Sequence, residues 1–504
     1  MQSWRESPYG DVVKFCNTRT LDRVREVWRL YTTSGLSEQD KRGRQKELTA
    51  AIERAKATKK KMANNVTPLS GVRSAAPMGV QMYMSSDDRY QRYWTNGTLD
   101  EKAINLVPNP AILLDAHRTM TVHYGTDPLP GFHLATAFLP LASTSKSRVD
   151  DPTVSSHVCS HLSKTIQAAQ AEFFQWLNKF KAFPKEKLTI RCVVADALAY
   201  GHTLQHAGAH PGQTSGNWPA DYWTFQQLEL DDEEYLGADK PVPVAFDVID
   251  TSNLSDHLGA TNLITAYAPL LLSTTSSTLY TETLVSHKAG PEERFKDLLC
   301  GDFDSVSLLL GLVNVETWTN ATVVSDSDEG MVQKSLKSMS KENADGSTQI
   351  RTRLAWRLLT QLTGVVPMTI TPVDLVALSM KFYNNMFRHE NVTNGMQNVL
   401  KLGASQLSNP LYNRASFVAF LKHVRSNVNT DWHEFTNKLY DAVVTDRDSF
   451  IGTSYFQDLF TQIHLQGVYS VDILVKPPAR VTPGRSPARL HDLKNLPNVI
   501  CITV

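Results

Sequence analysis

The sequence predicts an α/β fold, because strand-like segments alternate with helix-forming residues. Residues 188–194 are short, apolar and β-branched, and residues 242–249 have the same character. Residues 258–272, directly after the second segment, form an apolar helical stretch. Strands that are separated by helices favour a parallel sheet. We expect both strands to be buried, and we expect the second to be central in the sheet, with helices on both faces.

Composition and charge limit the classes to which the protein belongs. Its 504 residues exceed what one hydrophobic core usually supports, so two or three structural units are expected. Lys plus Arg equal Asp plus Glu at 51 each, and this lack of a basic excess argues against a nucleic-acid partner. Five widely spaced cysteines favour a reducing compartment. The longest apolar run, residues 266–272, is too short to span a bilayer, so we expect a cytoplasmic protein without membrane contact.

The first part of the chain combines helical segments with loop-rich ones, and we interpret residues 1–324 as one α/β domain. Residues 64–150 contain many Pro, Gly and Asn residues, which indicate loops and short elements. Residues 201–240 are rich in Gly, His and Pro and predict a long loop or insertion. Three further segments place apolar side chains at helical spacing, namely residues 20–33, 40–63 and 162–180.

Beyond residue 324 the pattern changes. Residues 325–348 are dominated by Ser, Asp and Lys and carry few apolar side chains, so they predict a flexible linker. Residues 467–504 contain two strand-like segments, 467–475 and 498–504, which we expect to dock back onto the sheet. Residues 349–466 between them predict a mostly helical unit, with helices at about 349–363, 372–388, 394–404, 414–426, 431–444 and 453–465.

Polar side chains follow both predicted strands. Asp196 comes just after the first strand, and the segment FDVIDTSNLSDHLG, residues 246–259, spans the end of the second. In open α/β sheets, ligands bind at the carboxyl ends of the strands. The side chains expected to line a crevice there are those of Asp196, Asp250, Ser252, Asn253, Asp256 and His257. As an alternative, Ser252 and Asp256 only cap the helix that follows, because Ser and Asp are common N-cap residues.

Two histidine pairs have the spacing of metal ligands on a helix, since residues four apart share a face. His157 and His161 form one pair, and His202 and His206 form the other. Neither pair includes the glutamate of a zinc-protease motif, and no third ligand is fixed by spacing. We therefore predict no bound metal. No phosphate-binding loop, dinucleotide fingerprint or nucleophile elbow is present either, so no catalytic residue is assigned.

Four strings support a resemblance to a known family, namely residues 71–79 (GVRSAAPMG), 107–110 (VPNP), 127–131 (DPLPG) and 246–259. They resemble a fungal family that carries a domain of unknown function, often beside a MYND zinc finger. A related domain occurs in the animal dynein axonemal assembly factor. The resemblance covers about residues 5–320 and implies a class I methyltransferase-like, Rossmann-like sheet.

Longer members of that family have an upstream strand and a Gly-Asp-Leu-Arg-like loop where S-adenosylmethionine would bind. This loop and the MYND cysteines are missing from the present sequence, which is then either truncated or a genuinely shortened member. The resemblance therefore implies a partial methyltransferase-like sheet without a cofactor, acting as a non-catalytic interaction or assembly factor for an unidentified protein partner. The alternative is an S-adenosylmethionine-dependent methyltransferase with unrecognised cofactor-binding residues. The oligomeric state is left open.

Overall fold

The structure is a computed structural model, and its described residues belong to two compact units. The first unit consists mainly of residues 1–194, and the second begins at Ala195 and holds the elements described after it. The residues that the structure describes are 1–31, 37–62, 132, 157–221, 224–237, 242–285, 291–319, 350–359, 367–390, 410–446 and 453–469.

The first unit is mainly helical and has one short parallel pair of strands. Its elements are α1 (Gln2–Arg5), β1 (Val13–Phe15), α2 (Thr18–Tyr31), α3 (Glu38–Met62), α4 (His157–Ala182) and β2 (Ile190–Cys192). β1 pairs with β2 in parallel, with Val13 opposite Ile190. Asn17 starts α2, because its side-chain oxygen accepts a hydrogen bond of 2.8 Å from the backbone N–H of Thr20.

The second unit mixes helices and strands. Its helices are α5 (Ala197–Ala209), α6 (Asp232–Tyr235), α7 (Ser255–Leu258), α8 (Ala260–Tyr267), α9 (Pro291–Leu299), α10 (Phe303–Leu310), α11 (Val315–Thr319), α12 (Pro372–Met386), α13 (Arg414–Asn427), α14 (Trp432–Thr445) and α15 (Thr453–Leu465). Its strands are β3 (Ser215–Asp221), β4 (Thr224–Glu229), β5 (Val248–Asp250), β6 (Thr278–Val285), β7 (Leu312–Asn314), β8 (Ile350–Leu358), β9 (Met368–Thr369) and β10 (Val428–Asn429). Within the ranges given above, no helix combines the length and the apolar character needed to cross a membrane.

The largest described sheet has four strands in the order β5–β6–β8–β7. β5 runs parallel to β6, with Val248 opposite Thr278, whereas β7 runs antiparallel to β8, with Leu312 opposite Leu358. β3 and β4 form a separate antiparallel hairpin, and β9 and β10 form a two-residue parallel pair. The α/β class that the sequence predicts is therefore confirmed, as a mixed rather than a purely parallel arrangement.

One hydrophobic core joins the sheet to the helices of the C-terminal part. Its cluster of buried side chains includes Leu279 of β6, Trp356 of β8 and Phe417 of α13. The indole N–H of Trp356 donates a 2.9 Å hydrogen bond to the hydroxyl of Thr281, so the buried polar atom of this large side chain is satisfied. Because these elements share one core, α12 to α15 pack as part of the sheet-bearing unit.

The predicted strands differ from the observed ones in position and burial. Residues 188–194 contribute only the three-residue β2, and Ile190 is exposed, so the expectation of a buried strand is wrong. β5 covers only the end of residues 242–249, and Val248 is 60% exposed. Among the described strands β5 lies at the edge of its sheet, which contradicts a central position. β2 and β5 also belong to different sheets, so the two segments do not form one parallel sheet.

Two segment assignments are also wrong, whereas four C-terminal helices are confirmed. The described part of residues 201–240 contains the body of α5, the β3–β4 hairpin and α6, so the long-loop alternative is wrong, whereas the insertion alternative stays a prediction. Residues 350–358 form strand β8 instead of a helix. Helices α12 to α15 match the predictions at 372–388, 414–426, 431–444 and 453–465. Several predictions lie outside the described residues, namely those for 64–131, 133–150, 325–348, 394–404 and 470–504.

The shared core makes a first prediction about stability. Phe417 is fully buried and its ring lies 5.1 Å from that of Tyr383. We expect Phe417→Ala to lower the free energy of unfolding by about 3–5 kcal/mol, because a large buried ring leaves a cavity. Urea unfolding measures this loss, and hydrogen exchange should show that amides of β6 lose protection together with those of α13.

The matched control is Val444→Ala on α14, where the side chain is 53% exposed. We expect that change to stay within about 0.5 kcal/mol of the wild type. If Phe417→Ala left the protection of β6 unchanged, the helices would form a separate unit and the shared core would be refuted.

Candidate functional site

A crevice in the second unit brings together two of the six predicted site residues. Its cavity has a volume of about 170 Å³. Asp196 and His257, which follow different predicted strands, both line it. The remaining lining residues are Leu198, Trp218, Leu258, Asn262, Pro410, Leu411, Asn413 and Ser416. Asp196 and His257 therefore line the same crevice, as predicted, although the strands that precede them do not belong to one parallel sheet.

The carboxylate of Asp196 is engaged by the backbone. Asp196 is the N-cap of α5, and its Oδ1 accepts a hydrogen bond of 2.9 Å from the N–H of Ala199. An N-cap acceptor satisfies an otherwise unpaired donor in the first helical turn, and a negative charge there interacts favourably with the helix dipole. Asp196 thus fixes the start of α5, and its side chain contributes to the crevice wall as a structural group.

A second helix also begins at the lining. Asn413 and Ser416 form a capping box at the start of α13. The side-chain oxygen of Asn413 accepts a 2.9 Å hydrogen bond from the N–H of Ser416, and the Ser416 hydroxyl accepts one of 3.2 Å from the N–H of Asn413. The sequence shows N-x-x-S at these positions, a weak form of the capping-box pattern. These two polar side chains are therefore also used by the fold.

Asn262 ties two segments of the lining together. Its amide nitrogen donates hydrogen bonds to the carbonyl of Leu258 at 2.8 Å and to the carbonyl of Leu411 at 3.0 Å. Asn262 is buried, so both donors of its amide are satisfied in the interior of the protein. The segment before α13 is held against α8 by this side chain.

Tyr412 provides a second tie at the same place. It is buried, and its hydroxyl donates to the carbonyl of Leu298 and accepts a 3.4 Å hydrogen bond from the N–H of Thr261. Gly259 has φ +82°, and a Cβ at this position would lie 2.4 Å from the hydroxyl oxygen of Tyr412. Only glycine fits both the backbone conformation and the space. Burial raises the pKa of Tyr412 well above its usual value, so its hydroxyl stays neutral.

Trp218 forms part of the crevice wall and packs on a buried histidine. The ring of His202 stacks on Trp218 at a centroid distance of 3.7 Å and an angle of 12°. Nε2 of His202 is buried without a hydrogen-bond partner. Burial, assisted by the charge of Lys422, lowers the pKa of His202 to about 3. The imidazole is therefore neutral at physiological pH.

The other four predicted residues lie outside the crevice lining. Asp256 accepts hydrogen bonds from the hydroxyl of Thr283 at 2.5 Å and from the guanidinium of Arg294 at 2.9 Å. Asp250 accepts from the backbone N–H of Ser252 at 2.9 Å and forms an ion pair with Arg353. These two carboxylates stabilise the segment after β5. Neither they nor Ser252 and Asn253 line the cavity.

The alternative role of Ser252 and Asp256 as helix caps is wrong. Ser252 opens a short 3-10 helix (Ser252–Leu254) with φ 47° and makes no cap hydrogen bond there. Asp256 lies inside α7. The longer helix α8 follows Gly259 without a side-chain cap. Among the three predicted aspartates, Asp196 is the one that caps a helix.

The two members of the second histidine pair have separate environments. His202 packs on Trp218, whereas His206 stacks on His210 at 4.3 Å and its Nε2 lies 2.6 Å from the side-chain oxygen of Gln213. The side chains of His157 and His161 are outside the described part of the structure. Within the described residues, no group of three or more potential metal ligands occurs.

The crevice has few free chemical groups. Asp196, Asn262, Asn413 and Ser416 all bond to the backbone, as described above. His257 is an exposed residue of the lining, and the structure records no hydrogen bond between its imidazole and the carboxylate of Asp196. The surface of the crevice is therefore mixed, with apolar side chains such as Trp218 beside polar groups that make up slightly more of the lining. Sequence analysis missed Trp218 and residues 410–416, because they are far from the strand ends in the sequence.

The buried histidine makes a second prediction. The unfolded chain binds a proton at His202 near pH 6.5, whereas the folded chain does so only near pH 3. The free energy of unfolding should therefore fall as the pH drops from 6.5 toward 3. We expect His202→Phe, which keeps a ring on Trp218, to reduce the loss between pH 7 and pH 5 by on the order of 1–2 kcal/mol. Urea unfolding at both pH values measures it.

His423, whose pKa burial lowers to about 4, contributes in the same direction in both proteins, so the comparison isolates His202. The matched control is His210→Gln at the exposed end of α5, which should change stability by less than about 0.5 kcal/mol at either pH. An unchanged pH dependence in His202→Phe would contradict the burial of a neutral imidazole.

Comparisons with protein-family models, with curated proteins and with solved structures found no match to this chain. The resemblance of residues 246–259 and of the three earlier strings to a fungal family therefore stays a prediction. The three earlier strings lie outside the described residues. What the crevice binds has to be inferred from its own geometry.

Proposed function

We propose that this protein is a non-catalytic interaction factor of the cytosol, and that its crevice receives a side chain of a protein partner. The observation that carries the proposal is that the polar side chains of the lining other than His257 already make hydrogen bonds within the fold. Asp196 and Asn413 cap helices, and Asn262 links two backbone segments. Group transfer or hydrolysis needs a nucleophile or base that is free to reach a substrate.

The size of the cavity supports a partner side chain over a cofactor. Pockets for cofactors and drug-sized ligands typically measure about 300–1,000 Å³. The crevice measures about 170 Å³, which suits roughly one large side chain. Its apolar wall is formed by Leu198, Trp218, Leu258 and Leu411. Energetically dominant contacts between proteins are often single side chains that fill such pockets.

The rigidity of the lining also supports binding. The cap of α5, the capping box of α13 and the amide of Asn262 hold the walls in place before any partner arrives. A preformed pocket loses less conformational entropy on association than one that must be ordered. His257 lines the crevice and is exposed, so its imidazole is available for a hydrogen bond to the backbone of an entering segment.

The fold relationship implied by the resemblance is part of the proposal. A parallel β-strand, helix, β-strand unit is the repeating element of a Rossmann-like sheet. β5 and β6 pair in parallel and are connected through α7 and α8, which supports descent from a methyltransferase-like sheet. If an ancestral catalytic sheet was reduced and came to bind a partner, its polar lining residues would be expected to serve the fold rather than a reaction. This expectation agrees with the helix-capping roles of Asp196 and Asn413.

The third prediction tests partner binding at the crevice. We expect His257→Ala to reduce capture of cytosolic proteins by the immobilised chain at least fivefold, while the melting temperature stays within about 1 °C, because an exposed side chain contributes little to stability. Asn253→Ala is the matched control, since Asn253 lies four residues away and does not line the cavity. Quantitative mass spectrometry of the captured proteins provides the measurement.

Equal capture by the His257 and Asn253 variants would contradict a role for the crevice. The methyltransferase alternative is tested on the same protein by calorimetry with S-adenosylmethionine. We expect no binding with a dissociation constant of about 100 µM or tighter, which corresponds to about 5.5 kcal/mol. Binding at that level would reject the non-catalytic proposal in favour of the enzyme.

A further inference from the structure

The crevice lining contains one carboxylate, that of Asp196, and neither a lysine nor an arginine. Within the described part of the chain no ion pair is recorded for Asp196, and only its Oδ1 has a recorded donor, the N–H of Ala199. Lys422, whose charge acts on His202, does not line the crevice. Asp196 therefore gives the crevice a negative charge that has no partner cation among the described residues.

Asn262 adds a hydrogen-bond acceptor to the same lining. Its amide nitrogen donates to the carbonyls of Leu258 and Leu411 at 2.8 and 3.0 Å, which fixes the orientation of the amide. Its Oδ1 only accepts, and within the described residues no donor to this atom is recorded. The hydroxyl of Ser416 is already used, since it donates to Oδ1 of Asn413 at 3.1 Å. The lining thus offers acceptor atoms, whereas these donor groups are bonded within the fold.

We propose that the side chain received by the crevice is an arginine of the partner, an inference that rests on the proposed function of the crevice as a binding site for a partner side chain. Arginine combines a positive charge with N–H donors in a planar fork, so one side chain can donate to two acceptors. Its methylene stem packs on apolar surface, which Leu198 and Leu258 provide. An apolar partner side chain would instead bury the carboxylate of Asp196 without a cation, which costs free energy.

The experiment uses the full chain labelled with fluorotryptophan and follows the fluorine NMR resonance of Trp218, which the Trp218→Phe variant identifies. The probe is N-acetyl-arginine methylamide, titrated to about 50 mM because a single side chain binds weakly, and at about pH 8, where a histidine is ordinarily neutral. We expect a saturable shift with a midpoint at least about tenfold lower than for the citrulline and leucine analogues, since charge-assisted hydrogen bonds are the stronger ones. Citrulline has nearly the shape of arginine but no charge.

Asp196→Asn removes the charge and keeps the helix cap, because asparagine is as good an N-cap residue as aspartate. We expect this variant to lose the preference for the arginine analogue over the citrulline analogue, with an unchanged melting temperature. Asp431→Asn is the matched control, since Asp431 caps α14 through the N–H groups of His433 and Glu434, at 3.0 Å each, and does not line the crevice. It loses the same charge and should bind the arginine analogue as the wild type does.

Equal midpoints for the arginine and citrulline analogues, or an unchanged arginine preference in Asp196→Asn, would overturn the inference. If the leucine analogue binds more tightly than the arginine analogue, the partner side chain is not an arginine, although the crevice still receives a side chain as the proposed function requires. If none of the three analogues shifts the Trp218 resonance, the crevice receives no side chain, which overturns both the inference and the proposed function.

Discussion

The hydroxyl group of Tyr412 joins three segments of the second unit, two of which contribute residues to the crevice. It bonds to the carbonyl of Leu298 at the end of α9 and to the N–H of Thr261 in α8, and it lies against Gly259. An unmade hydrogen bond in a dry interior costs much more than a made one contributes. The hydroxyl oxygen of Tyr412 thus links its own segment to α8 and α9. Any side chain at position 259 would displace this hydroxyl group. The contact between residues 258–262 and 410–416, which both contribute to the crevice lining, depends on this constraint.

The same need to satisfy buried polar groups underlies the proposal that the crevice is a binding surface. Helix ends leave several backbone groups without partners, and nearby Asp, Asn and Ser side chains provide them. Asp196, Asn413 and Ser416 act in this way, at the start of α5 and of α13. The rest of the lining consists of the apolar side chains of Leu198, Trp218, Leu258, Pro410 and Leu411, together with the exposed imidazole of His257. Such a lining combines apolar contact area with the hydrogen-bonding imidazole of His257.

How far the sequence predicts this structure depends on the range of the interactions involved. Helices α12 to α15 have a clear 3.6-residue apolar period, which is a local signal, and all four were predicted. Residues 350–358 alternate between Arg and apolar residues near their end, but a short segment of this kind fits a helix as well as a strand, and its pairing with β7 and β6 is a distant contact. The exposure of β5 at a sheet edge likewise depends on which strands pair, and the local pattern does not contain that information.

In the candidate site too, the sequence predicts what depends on local residues and misses what depends on distant contacts. The convergence of Asp196 and His257 was expected, but from strand ends in one sheet, whereas α5 and α7 bring them together. Asp250 and Asp256 were equally plausible from residue type alone, and their engagement by Arg353 and Arg294 could not be foreseen, because each arginine is distant in sequence. Trp218 gave no signal beyond its size. Its place in the crevice depends on the packing of the β3–β4 hairpin against α5.

The most direct test of this structure is the free energy of unfolding of Tyr412→Phe, measured by urea titration against Tyr440→Phe, a partly exposed tyrosine on α14. Loss of the Tyr412 hydroxyl leaves the carbonyl of Leu298 and the N–H of Thr261 without this partner. We expect a destabilisation of about 1–3 kcal/mol, with faster hydrogen exchange at Thr261, and a change below about 0.5 kcal/mol for Tyr440→Phe. Equal stability of the two variants would contradict the central role of the Tyr412 hydroxyl.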